Sequence, residues 1–281
     1  MITFPTSLYA GGDSGGGGYT PPQTDLVSDW NPVAATLQNS SSGAIADGEV
    51  VSRWDDSKTG SSLYMDQGSN AAMPEWFESD SNRNNKPYIR FNRNASGSSS
   101  GVTWLQTSSQ FAYDDSRMTF YLVIDYDSNT ESYTDVFTNT IDSGWDEGFS
   151  IHSQSSGSIH GSVASWASND VTIKSSFSSP RVIVYKFRTG TTPYSNRGGY
   201  TFGSSVTWNS DSSTTNMNQP RQNLGSNYSR ALLGTGRNGS GNLPYYGMGF
   251  NLYRMLIYDE NHTDAESEAI MADLKAEYNT L

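Results

Sequence analysis

Cysteine is absent from the 281 residues, which excludes a disulfide framework and any thiolate metal site. Charge is scarce as well. Only 16% of residues are charged, and 17 basic side chains face 29 acidic ones, for a net charge of −12. Nucleic-acid binding relies on clustered Lys and Arg to neutralise phosphates, and anionic membrane surfaces attract the same residues. Both partners are therefore disfavoured on charge. No apolar run approaches the ~20 residues of a membrane-spanning helix. Met1 to Ala10 lack the basic and apolar regions of a secretory signal, so synthesis in a cytoplasm is the expectation. The Asn-x-Ser/Thr triplets at Asn94 and Asn227 are then chance products of a Ser/Asn-rich chain.

What the chain does hold is aromatic. Hydrophobic residues make up 34%, but 7 Trp, 17 Tyr and 11 Phe are among them, and each aromatic buries a large area. A sizeable core is therefore within reach, and disorder along the whole chain is excluded. Ser, Asn, Thr and Gly dominate the remainder, the composition of many short strands joined by turns. Gly11 to Pro22 reads GGDSGGGGYTPP, a flexible glycine run ending in a stiffer Pro-Pro step. Residues 1–25 are accordingly expected to be a Gly/Pro-rich arm, and residues 26–281 one folded domain.

Hydrophobic periodicity places the elements. In Thr119–Tyr126, Phe120, Leu122, Ile124 and Tyr126 share one face. Val171, Ile173 and Phe177 do so in the next segment, and Ile183, Tyr185 and Phe187 in Arg181–Arg188. Phe250–Tyr258 is apolar on both faces, as a central strand should be. These strands predict an all-β antiparallel sandwich. One helix is expected, at 263–279. Thr263-Asp264-Ala265-Glu266 is a capping box, and Ile270, Leu274 and Tyr278 follow as an apolar stripe.

A resemblance to a known family rests on particular residues. Trp54-Asp55-Asp56-Ser57-Lys58-Thr59-Gly60 followed by Lys86-Pro87-Tyr88-Ile89-Arg90-Phe91 resembles the opening of a laminin-G-like, concanavalin A-like jelly roll. The closing stretch, Leu232-Leu233-Gly234 through Leu252–Tyr258 to the Asp264/Glu266 helix start, resembles the same family. Such a resemblance implies a surface, adhesive or glycan-binding protein and no specific ligand.

Several segments bear on chemistry. Gly234-Thr235-Gly236-Arg237-Asn238-Gly239 matches G-x-G-x-x-G, but Pro244 and a strand follow instead of the helix that dinucleotide binding requires. It reads as a turn. A retaining glycosidase needs two carboxylates ~5 Å apart, which on one strand means alternate positions. Asp125/Asp127 and the Asp142, Asp146, Glu147 group are the nearest approaches, and no Glu-x-Asp-x-x-Glu run exists. Ser158-Ile159-His160-Gly161 is similar to the Gln-Ile-His segment of sandwich-type alginate lyases, but Ser158 replaces the Gln and the Arg-x-Glu-x-Arg partner is missing. A hairpin around Ser155-Ser156-Gly157 that pairs Phe149 with Val163 places His152 opposite His160 on the polar face. Two imidazoles lack the third ligand a metal site requires.

Sugar-binding surfaces stack rings on aromatics. Trp145, Trp166, Trp208, Tyr245 and Tyr246 are the candidates, with Asp142, Asp146, Arg237 and Asn238 for hydroxyls. No cofactor is expected; acidic loops offer oxygen ligands for Ca²⁺, but no EF-hand-like run occurs, so the metal is left open. The expected function is a non-enzymatic bacteriophage virion surface protein. It would be a homo-oligomer docked on other virion proteins through its N-terminal arm, with host surface polysaccharide as a further partner. A secreted lectin or adhesin module and a glycan-cleaving enzyme on the same fold are the alternatives.

Overall fold

The computed structural model describes residues 19–92, 101–108, 117–126, 134–139, 148–154, 158–163, 170–174, 181–188, 195–210, 230–236 and 247–280. Seventeen strands and a helix are named among them. The first third holds β1 (Leu26–Trp30), β2 (Leu37–Asn39), β3 (Val51–Asp55), β4 (Tyr64–Asp66), β5 (Glu75–Asp80), β6 (Lys86–Phe91) and β7 (Leu105–Thr107). Then follow β8 (Arg117–Tyr126), β9 (Thr134–Thr138), β10 (Phe149–Gln154), β11 (Ser158–Val163), β12 (Val171–Lys174) and β13 (Arg181–Arg188). The chain closes with β14 (Ser195–Phe202), β15 (Ser205–Ser210), β16 (Leu232–Leu233), β17 (Phe250–Tyr258) and helix α1 (Asp264–Tyr278).

These strands form two antiparallel sheets packed as a sandwich. The first runs β15-β14-β13-β8-β17-β6-β5, with β1 also pairing β17; the second runs β12-β11-β10-β9-β16-β7-β4-β3-β2. The alternation read in the sequence explains which side of each strand is inside. Met118, Phe120, Leu122 and Ile124 of β8 and Ile183, Tyr185 and Phe187 of β13 join the core between the sheets. Their neighbours Tyr121, Val123, Val182 and Val184 pack on the opposite face against α1. The first sheet is therefore covered on both sides, so its central strands carry no polar stripe.

The helix is built as its sequence requires. Thr263 accepts from the Glu266 backbone N–H while the Glu266 carboxylate accepts from the Thr263 backbone N–H. Ile270, Met271, Leu274 and Tyr278 are buried on the first sheet, each contributing roughly 1.5–3 kcal/mol by removal from water. Its last carbonyls are satisfied from the β5–β6 turn, where Asn84 Nδ2 donates to the Ala276 and Glu277 oxygens. At the other end of the chain, Arg254 grips Asp29 with two bonds of 2.9 and 2.8 Å and donates to the Tyr19 carbonyl at 3.0 Å. The Trp54–Gly60 turn has an equally specific cause. Asp56 Oδ1 accepts from the Asp29 and Lys58 backbone N–H groups, tying β1 to the end of β3. Burial pushes the Asp56 carboxyl up from its ordinary value, and those two backbone donors oppose the shift.

Candidate functional site

The second sheet has a polar outer face. Its inner face uses alternate residues, among them Trp54, Met65, Leu105, Leu233, Phe137, Ile151 and Val163. Between these, cross-strand pairing aligns Arg53, Asp66, Gln106, Leu232, Thr138, Ser150 and Ser162 in one row. Exposure falls along this row. Arg53 is 38% exposed at its side chain and lies over the Tyr64 ring at 3.8 Å, whereas Thr138 and Ser150 are fully buried.

At the buried end a second row holds Asp135, His152, His160 and Thr172. Phe149 pairs with Val163 and His152 with His160, the register expected from the sequence. Two β-bulges shape this row. The β9–β10 ladder shifts between Ile151 and His152, so that Asp135 and not Val136 stands opposite His152. Strict alternation from Phe137 would have turned Asp135 into the core; the extra residue turns it outward. The β11–β12 ladder shifts between Ile159 and His160 in the same way.

The contacts within this cluster are close. Ser150 Oγ donates to Asp135 Oδ1 at 2.5 Å. Gly236 lies against the same carboxylate, with room for no side chain: a Cβ there would sit 1.9 Å from Asp135 Oδ2. Asp170, just before β12, reaches back over the row. Its Oδ2 accepts from Gln154 Nε2 at 2.6 Å and meets His160 Nδ1 at 2.8 Å, and His160 Nε2 meets Ser158 Oγ at 2.9 Å. Asp170 Oδ1 is 3.7 Å from His152 Nε2, too long for a hydrogen bond. Complete burial holds the His152 ring neutral, its pKa lowered to about 4 against the pull of Asp170, so this approach is no ion pair at neutral pH. Among the described residues, Asp170 Oδ1 and Ser162 Oγ are buried acceptors without a hydrogen-bond partner. Buried polar atoms seldom stay unsatisfied, and these two lie on the outer face of the second sheet, beside the histidine pair. No group of three or more His, Asp or Glu placed to hold a metal is found among the described residues.

Of the glycan-contact residues expected from the sequence, only Trp208 lies within the described segments. Trp145, Trp166, Tyr245, Tyr246, Asp142, Asp146, Arg237 and Asn238 lie outside them. Trp208 is on β15, at the edge of the first sheet. Lys186 Nζ and the Arg197 guanidinium stand 4.6 and 4.8 Å from its ring, and its Nε1 donates to Glu268 of α1. Thr235 of the glycine-rich segment bridges Gly247, and the first element after it among the described residues is strand β17. Of the acidic groups considered, Asp125 lies on β8 in the first sheet opposite Asn251, while Asp127, Asp142, Asp146 and Glu147 lie outside the described residues.

No family model matches the chain, and no curated protein does. Solved structures do. A mutant GH54 α-L-arabinofuranosidase soaked with 4-nitrophenyl α-L-arabinofuranoside matches at 13% identity and TM-score 0.59, over 91% of this chain and 60% of that one. An arabinofuranosidase complexed with arabinofuranosyl-α-1,2-xylobiose matches at 13% identity and TM-score 0.59, over 90% and 63%. This chain thus spans under two thirds of either enzyme. A Trypanosoma rangeli sialidase in complex with sialic acid matches at TM-score 0.47 and 12% identity, over 90% of this chain and 33% of that one.

These matches correct two expectations. The sandwich is one that glycosidases use, and it gives no support to a non-enzymatic bacteriophage virion surface protein. Carboxylates at alternate positions of one strand are one arrangement; β9 to β12 hold another, in which Asp135 of β9 pairs opposite His152 and Asp170, just before β12, approaches the same ring.

Proposed function

We propose that this chain is a glycan-cleaving enzyme, a glycoside hydrolase on a concanavalin A-like sandwich, with the outer face of the second sheet as its groove. The observation that carries the reading is the pair Asp135, on β9, and Asp170, just before β12, which flank the buried His152. Glycoside hydrolysis needs two carboxyl groups on opposite sides of the scissile bond, one to protonate the leaving oxygen and one to act on the sugar carbon or on water. Asp135 stands one strand spacing, ~4.8 Å, to one side of His152, and Asp170 approaches the same ring to 3.7 Å from the other. The distance between the two carboxyl groups decides between a retaining pair at ~5 Å and a wider inverting one, and the first-formed anomer reads that choice directly.

The rest of the row fits the same use. Ser150 and Gly236 fix the Asp135 carboxylate, and Gln154 and His160 fix Asp170. At the open end, the Arg53 guanidinium on Tyr64, with Asp66 and Gln106 behind it, offers the flat surface and the hydroxyl partners that a chain of sugars needs. Fold likeness to the two arabinofuranosidases supports glycans as the substrate class and suggests a furanoside first.

The test is incubation of the purified chain with aryl glycosides and plant and bacterial polysaccharides, reading reducing ends and, by NMR, the first-formed anomer. Release of sugar, lost at least ~10³-fold in Asp135→Asn and Asp170→Asn, is the expected result. Activity that survives both substitutions would remove these carboxylates from the mechanism.

A further inference from the structure

We infer that Ser158, His160 and Asp170 form a nucleophilic relay that hydrolyses O-acyl esters carried on the glycan. The sugar carrier rests on the reading above; the relay rests on its own geometry. Asp170 Oδ2 is an acceptor only, so His160 Nδ1 is the donor across their 2.8 Å contact. With its proton on Nδ1, the imidazole presents Nε2 as the acceptor, and Ser158 Oγ stands 2.9 Å from it. Nucleophile, base and orienting carboxylate thus stand in hydrogen-bond sequence, the arrangement by which serine hydrolases are recognised on unrelated folds.

Local structure explains how two alternate strand positions achieve this. Ser158 and His160 are two apart on β11 and share its outer face. The bulge beside His160 brings the start of β12, and with it Asp170, alongside that ring. Gln154 Nε2 holds the carboxylate from the far side at 2.6 Å. His152 stacks 5.9 Å from His160 at 24°. It stays uncharged at neutral pH, so the Asp170 charge is left for the imidazolium that forms on His160. Glycosidic cleavage by two carboxylates makes no use of Ser158.

The chemistry balances with water as the only co-reactant. Ser158 Oγ bonds to the acyl carbon as its proton passes to His160 Nε2, and the carbonyl π pair moves onto oxygen. That pair returns as the bond to the sugar oxygen breaks, and His160 protonates the departing hydroxyl. A water then repeats the sequence, releasing the carboxylic acid and restoring Ser158. Ser158 and His160 are the catalytic residues, and Asp170 positions His160.

The experiment uses the whole chain and two probes. Phenylmethylsulfonyl fluoride is added and the modified peptide is mapped by mass spectrometry, and hydrolysis of 4-nitrophenyl acetate and of O-acetylated xylan is followed separately. Stoichiometric sulfonylation at Ser158 is expected, together with ester hydrolysis that falls at least ~10³-fold in Ser158→Ala. Asp170→Asn should lower kcat far more than it changes KM and should alter the pH–rate profile, a response that a merely structural role would not give. Circular dichroism and Tm of each variant show whether it is folded; Ser158→Ala removes one oxygen and should leave both unchanged. Absence of label at Ser158 in the unaltered chain, or ester hydrolysis undiminished in folded Ser158→Ala, overturns the relay. Neither result bears on glycoside release from unacylated substrates, which alone decides the glycosidase reading.

Discussion

Gly236→Ala isolates the position of one carboxylate. The backbone at this residue lies outside the left-handed region, so alanine brings no φ strain of its own. The new Cβ would, however, stand 1.9 Å from Asp135 Oδ2, and ordinary contact begins at 3.4 Å. A retreat of about 1.5 Å is therefore required. Asp135 cannot make it freely, because Ser150 Oγ holds the other oxygen at 2.5 Å and the side chain is only 4% exposed. A misplacement of ~1 Å in a reacting group costs about 10²-fold in rate, or about 2.7 kcal/mol of barrier. Overpacking adds a stability loss of ~1–3 kcal/mol, which for a domain of this size lowers Tm by roughly 2–12 °C. The assay is kcat/KM on the best glycoside together with a melt. Gly161→Ala is the control, since its Cβ would meet the Tyr185 ring at 2.2 Å inside the core; it should match the melting loss without the same effect on rate. Wild-type kcat/KM in folded Gly236→Ala would refute the placement of Asp135 at the reacting centre.

Other outcomes follow from the same structure. His152 has a folded pKa of about 4 against 6.5 when exposed. Between those values the unfolded chain binds more protons, so stability is full above about pH 6.5 and is lost as pH falls towards 4. The loss from this group is on the order of 3 kcal/mol, and burial of His262 works in the same window. In NMR the His152 ring should not titrate until near pH 4, and a midpoint near 6.5 would contradict its burial. Asp29→Asn leaves Arg254, 3% exposed, as a buried charge without its carboxylate; a loss of about 3–5 kcal/mol in denaturant titration is expected, and a loss under ~1 kcal/mol would contradict it. Ser162→Ala removes a buried hydroxyl that has no hydrogen-bond partner among the described residues, so Tm should hold or rise; a fall of several degrees would reveal a bond that the hydroxyl makes.

Much of the fold was legible in the sequence because local rules govern it. The limits of β13 and β17 follow from alternation and from apolarity on both faces, and the capping box at Thr263 locates the start of α1. The His152–His160 pairing was legible too, since matching Phe149 to Val163 on the apolar face fixes everything opposite. The site was only half legible. Asp135 sits in the five-residue strand β9, whose alternation is broken by the bulge at Val136, so its outward turn cannot be read from Thr134–Thr138 alone. Asp170 reaches His160 through strand pairing across a separate connection. Pairing the histidine hairpin with one further strand on each side brings these acids in, which alternation within a single strand does not show. Trp208 shows the converse: an aromatic with the right chemistry for stacking sugars is placed by its neighbours against Lys186, Arg197 and α1.

The central claim is that Asp135 and Asp170 cut a glycosidic bond across His152. Its most direct test is glycoside hydrolysis by the unaltered chain and by Asp135→Asn and Asp170→Asn, with fold verified by melting. The account predicts cleavage in the first and near-complete loss in both variants. No cleavage of any furanoside, pyranoside or polysaccharide by the unaltered chain, or equal cleavage by all three, would contradict it.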